Sequence, residues 1–321
     1  MHLLGRSALL GALVGLLSFF IGEAAYAQIG LVTEDVRIPA GNGRYTVAAR
    51  IVRPQGEGKF GAVVLNHGVA GTRTERLRES PDQLLSAATV FVQHGYVVIM
   101  PLRRGFGLTG GEYAEDPGPC SNPDFRRAET AASEDVMAAY DYARSLPYVD
   151  GARMILAGQS AGAMVSLYTA AMRSPQGLVA VLGFAAGRGG NPDYRPGVPC
   201  AVEPVAKLLD TLGKSIKVPV LFHYAANDRF FNAETSRLWF DRFKAGGAKA
   251  EYVLQPPFGA DGHYVFSAVD GAKIWLPAVE QFFDEYDVPF GTAKALQRPA
   301  APERPKGLER PRPLELQKVG G

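Results

Sequence analysis

The sequence predicts an α/β fold in which a mostly parallel central sheet carries helices on both faces. Three observations predict it. Short apolar runs alternate with longer segments of helical periodicity from residue 61 to residue 286. Each link between successive strand-like runs is long enough to hold a crossover helix, which parallel pairing requires. The 321 residues are 47% hydrophobic and 21% charged, ordinary values for one large globular domain. No internal repeat interrupts the alternation.

The first 27 residues stand apart. Arg6 precedes an uncharged apolar run from Ser7 to Ile21, and Ala25-Tyr26-Ala27 follows with small residues at its first and third positions. This is the pattern of a secretory signal peptide, with cleavage expected after Ala27 and Gln28 as the new terminus. An uncleaved membrane anchor is the competing reading, but the run is shorter than the ~20 residues a span needs. No cysteine follows the run to accept a lipid. The expected location is periplasmic or secreted, with no stable membrane insertion after cleavage.

A catalytic domain is expected over residues 28–290. Gly61 to Asn66 reads as a central strand, and Asp82 to His94 as a helix that Gly95 ends. Tyr96 to Met100 is a strand rich in β-branched residues, and Phe125 to Leu146 the longest helix. Strand-like runs at Met154 to Ala157 and Leu178 to Phe184 flank a helix from Ala163 to Arg173. The stretch from Gly187 to Lys217 holds one short helix, Glu203 to Leu212, which leaves room for little or no cap domain. Val218 to Tyr224 forms the next strand, Glu234 to Ala245 a helix, Glu251 to Leu254 a strand, and Ser267 to Tyr286 the closing helix. Beyond Pro289 the composition turns to Pro, Arg, Lys, Glu and Ala, so residues 291–321 read as a disordered tail.

The chemistry concentrates at Gly158-Gln159-Ser160-Ala161-Gly162, which joins the strand ending at Ala157 to the following helix. A serine on such a turn is pushed out of the sheet to become a nucleophile, and the glycines let neighbouring elements close around the bend. An acid and then a histidine are required downstream. Asp228, just past a buried strand, is the acid candidate; its alternative role is to cap the helix that begins near Asn232. His263 follows largely by elimination, because His2 lies in the leader, His67 precedes the upstream glycine, His94 ends a helix and His223 is mid-strand. The upstream loop His67-Gly68-Val69-Ala70-Gly71, after a strand, can present a main-chain N–H to the same site. The amides of Val69 and Ala161 are the expected oxyanion donors, with Gly68 and Ala70 as alternatives to Val69.

With these motifs the chain resembles the α/β-hydrolases, in layout the dienelactone hydrolase-like and prolyl-oligopeptidase-like serine hydrolases of bacteria, from about Val32 to Val288. The resemblance implies an α/β-hydrolase fold, a Ser160–Asp228–His263 triad and no cofactor. Dienelactone hydrolases proper carry a cysteine where this chain has Ser160, so lactone specificity does not carry over. Ala163 replaces a second glycine after the elbow, and the tyrosine-bearing elbow of many oligopeptidases is missing. The activity implied is therefore cleavage of a small-molecule carboxylic ester through an acyl-enzyme. A peptidase or amidase, or a silent binding protein on the same fold, is the alternative.

Export favours disulfides, so Cys120 and Cys200, each in a Pro/Gly-rich loop after a strand, are expected to pair. Without neighbouring histidines they supply too few ligands for a metal. Arg103 and Arg104 could grip a substrate carboxylate or simply tie loops together. Phe230 and Tyr264 are the other candidate substrate contacts, with packing the alternative role for Phe230 and its neighbour Phe231. A formal net charge of +2 argues against nucleic acid as a partner.

Overall fold

The computed structural model describes residues 30–292. The expectations for the leader, residues 1–27, and for the tail beyond residue 292 lie outside them. Eight strands form one sheet: β1 (Leu31–Ala40), β2 (Tyr45–Pro54), β3 (Phe60–Asn66), β4 (Tyr96–Leu102), β5 (Val149–Gln159), β6 (Leu178–Phe184), β7 (Val220–Ala225) and β8 (Ala250–Gln255). Their order is β1-β2-β4-β3-β5-β6-β7-β8. β1 and β2 run antiparallel to their neighbours, and β3 to β8 pair in parallel. The expected α/β-hydrolase architecture is thus present, as a mixed and largely parallel sheet.

The helices are α1 (Arg73–Leu77), α2 (Leu85–Gln93), α3 (Phe125–Ser145), α4 (Ala161–Arg173), α5 (Val202–Ser215), α6 (Ala233–Ala245) and α7 (Ala272–Glu285). They divide between the two faces because side chains alternate along each strand. In β3, Ala62 and Val64 join the core under α3 to α6, whereas Val63 and Leu65 join the core under α2 and α7. A strand buried on both faces reads as a continuous apolar run, which is why β3 to β7 were legible. Among the described residues no helix is long and apolar enough to cross a membrane.

The differences from expectation have local causes. α5 extends three residues beyond Leu212. α7 starts at Ala272, because a 3-10 turn at Gly262–Tyr264 and the turns after it come first. The sequence reading placed no strand before residue 61, yet β1 and β2 form a hairpin there. β1 lies at the sheet edge with six of its ten residues exposed, so it carries no clean apolar alternation. Gly41, Asn42 and Gly43 make its turn, all with positive φ. The link from β6 to α5, residues 185–201, holds turns and bends alone, so among the described residues it forms no cap domain over the carboxyl ends of the strands.

Candidate functional site

The elbow leaves β5 at Gln159 and enters α4 at Ala161. Ser160 sits between them at φ 58° and ψ −124°, a strained conformation for a residue with a side chain. The flanking glycines are demanded by contact rather than by dihedral freedom. A Cβ at Gly162 would lie 2.1 Å from the Asn66 carbonyl oxygen, and one at Gly158 would lie 2.4 Å from the Gly162 carbonyl. Ser160 N–H donates to the Phe184 carbonyl at 2.9 Å, which ties the bend to β6.

Asp228 follows the end of β7 and is buried. Its Oδ1 accepts the N–H groups of Phe230 (2.7 Å) and Phe231 (2.9 Å), and its carboxylate meets His263 Nδ1 at 3.0 and 3.1 Å. α6 is capped instead by Asn232, whose side chain accepts from Thr235 N–H. The other constraints on His263 come from several directions. Asp261 caps its turn, the Phe230 ring stacks on the imidazole with centroids 4.0 Å apart, and Gln159 Nε2 donates to its carbonyl at 2.5 Å. The residue before the serine thus holds the loop that carries the histidine. Ser160 Oγ makes no hydrogen bond to the imidazole; both groups border one cavity, a geometry that can tighten around substrate.

The upstream loop is clamped from below. His67 contacts the Gly68 carbonyl through Nδ1 (2.7 Å) and accepts the Arg103 N–H at Nε2 (3.2 Å). Burial, and then the nearby Arg103 charge, push its pKa down to about 3, so it stays neutral and orders the loop. Gly68 approaches the serine closely, since a Cβ there would lie 3.4 Å from Ser160 Cβ. The Val69 amide has no acceptor among the described residues. Ala161 is the first residue of α4, where an N–H has no intrahelical acceptor. Val69, Ser160 and Ala161 line one cavity of about 360 Å³.

That cavity corrects one sequence expectation. Arg104 does not border it: its side chain pairs with Asp135 and Glu134, donates to the Ala131 carbonyl and lies over the Tyr45 ring. Arg103 is fully buried against Glu115 and the carbonyls of His67 and Gly68. Two other arginines do border the cavity: Arg76, whose guanidinium lies over the Tyr113 ring, and Arg188, which pairs with Glu115 (2.9 Å) and Glu129 (2.7 Å). The signal for Arg188 was a lone arginine in Gly187-Arg188-Gly189-Gly190 after a strand; Glu129 was marked by an acidic side chain on the buried face of α3. Phe230 borders this cavity, and Phe230 and Tyr264 both border a second one of about 870 Å³ that His263 also lines. Among the described residues no cluster of metal-binding side chains occurs.

Cys120 and Cys200 form a disulfide across the rim of the smaller cavity, with Cα atoms 5.7 Å apart. For a sequence separation of 80, closing the loop stabilises by about 4.5 kcal/mol in the chain-entropy model. Reduction is expected to lower the thermal midpoint by ~10 °C. Calorimetry with and without reductant, beside peptide mapping under non-reducing conditions, checks this; two free thiols in the untreated protein would contradict it.

Comparison with known proteins agrees with this fold. A model of the dienelactone hydrolase family matches residues 47–259, well over half of the chain. No curated protein sequence matches it. Among solved structures, an esterase from Pyrococcus furiosus is 15% identical, with 80% of this chain and 91% of the esterase covered and a TM-score of 0.54. An acetyl xylan esterase from Paenibacillus sp. R4 is 18% identical, covering 81% and 89% with a TM-score of 0.53. An acylaminoacyl peptidase from Pyrococcus horikoshii is 14% identical at a TM-score of 0.55. There 84% of this chain is covered, and it spans only 43% of the peptidase.

Proposed function

The chain belongs to the dienelactone hydrolase family of α/β-hydrolases, and from that premise we propose that it is an exported serine hydrolase that cleaves carboxylic esters through an acyl-enzyme. One observation carries the reading most. Ser160 is held in a strained elbow that opens on the same cavity as His263, whose Nδ1 is fixed by the buried Asp228. In this mechanism Ser160 Oγ attacks the acyl carbonyl carbon while its proton passes to His263 Nε2. Asp228 keeps the Nδ1 proton in place and stabilises the imidazolium. The Val69 and Ala161 amides donate to the oxyanion. His263 then protonates the departing alkoxide, and a water repeats the sequence to release the acid. The disulfide supports export, because such bonds persist in oxidising compartments.

The two cavities divide the substrate. His263 borders the larger cavity and not the smaller, so the leaving alcohol, which takes its proton, belongs in the larger. Ala161, an oxyanion donor, borders the smaller, which therefore holds the acyl group. A panel of aryl esters of rising acyl length beside matched amides tests the reading. Ester turnover that falls once the acyl chain outgrows about 360 Å³ is expected. Comparable turnover of amides would favour an amidase, and no turnover of either would favour a binding protein.

A further inference from the structure

We infer that the larger cavity beside Ser160 receives a polyhydroxylated, sugar-like leaving group, and that Glu79 is the side chain that selects it. This rests on the ester-hydrolase reading and gives it a substrate class. Glu79 lies between α1 and the 3-10 turn at Pro81–Leu84, and it lines the same cavity as Ser160 and His263. It is only 7% exposed, and among the described residues no salt bridge engages it. The nearest influential cation, Arg103, is committed to Glu115, and Gln83, the side chain that hydrogen-bonds Glu79, is neutral. The other carboxylates of the cavity are occupied or outward: Glu75 is bound by Thr72, and Asp261 accepts the N–H groups of Arg229 and His263. Glu79 is therefore the buried carboxyl of this cavity without a salt-bridge partner.

Size and lining name the ligand's chemistry. About 870 Å³ is far more than a small alcohol needs, and it falls in the range of sites for drug-sized polar molecules. Besides Glu79, acidic Glu75, Asp193 and Asp261 share the walls with basic Arg78 and Arg229, so both signs are present and the carboxyl groups are the more numerous. Gln83 and Asn191 add neutral amides, and Tyr264, 51% exposed, offers a ring on which the apolar face of a sugar can stack. Burial pushes the Glu79 carboxyl up to about 7. A carboxyl that is partly protonated near neutrality suits hydroxyl groups, which donate and accept, better than a fixed cation.

Burying that carboxyl without a cation has a cost with a definite sign. Its folded pKa lies above the ordinary 4.5, so the penalty grows as pH rises from that value to about 7 and is absent in acid. Glu79→Gln is thus expected to raise the thermal midpoint at pH 8 and to leave it unchanged at pH 4. Functional sites commonly accept such a loss of stability.

The deciding experiment measures kcat/KM of the full chain for mono-O-acetylated glucose, ethyl acetate and acetylcholine, with active serine counted by fluorophosphonate titration. The sugar ester is expected to be preferred over ethyl acetate, and Glu79→Ala is expected to lower that preference about tenfold or more. Glu79→Gln, which keeps the shape and a donor–acceptor head group, is expected to retain most of it. An unchanged preference in both variants overturns the inference. So does a preference for acetylcholine that Glu79→Gln abolishes, because that marks a cation site. An unlabelled serine with no turnover of any ester overturns the hydrolase reading, and this inference with it.

Discussion

Ser160→Ala is expected to lower ester turnover by about 10⁶-fold, the scale of loss when the nucleophile of a serine hydrolase is removed. The fold is expected to survive it. Ser160 Oγ holds nothing else in place, and alanine keeps the Cβ that the elbow already accommodates at φ 58°. The change in unfolding free energy should stay within about 0.5 kcal/mol, as for substitutions that break no buried interaction. Turnover with 4-nitrophenyl acetate and a urea titration measure the two quantities. A large loss of stability would assign the serine a structural role, and retained turnover would place the nucleophile elsewhere.

Glu115→Ala is expected to have the largest effect on stability, about 3–5 kcal/mol, because it leaves two buried guanidinium groups without their shared partner. Burial alone would raise the Glu115 carboxyl, but Arg103 and Arg188 outweigh it and hold the pKa below the ordinary carboxylate value. A depressed pKa stabilises the fold above the unfolded value of 4.5 and ceases to do so as pH falls through the folded one. The cost of Glu115→Ala should therefore shrink in acid. Activity should fall as well, since Arg103 donates to the His67 and Gly68 carbonyls that shape the oxyanion loop, and Arg188 borders the acyl cavity. Urea titrations at pH 4 and pH 7 read the first effect and the rate of fluorophosphonate labelling the second. A neutral effect at pH 7 would mean the network contributes nothing to the site.

Much of the site was legible because its signals are local. The elbow shows in five consecutive residues, and Asp228 follows a run apolar enough to be a buried parallel strand. His263 needed only the exclusion of four other histidines, of which His94 and His223 are buried, away from both cavities. The ion network was not legible, because Arg188 meets Glu129 and Glu115 across 59 and 73 residues of sequence and no pattern links them. The same gap explains the choice of Arg104. Two adjacent arginines after a strand look equivalent, yet successive residues there diverge: Arg103 turns under the loop while Arg104 turns toward Asp135 on α3. Glu79 was passed over because an isolated glutamate near a helix start is ordinarily a solvated group, and its burial arises from the packing of distant loops.

Treatment of the full chain with a fluorophosphonate probe, followed by peptide mapping of the adduct, tests the central claim most directly. The account predicts a single stoichiometric adduct on Ser160, slowed strongly in Asp228→Asn and His263→Ala. An unmodified Ser160 in the folded protein, or an adduct on another residue, would contradict it.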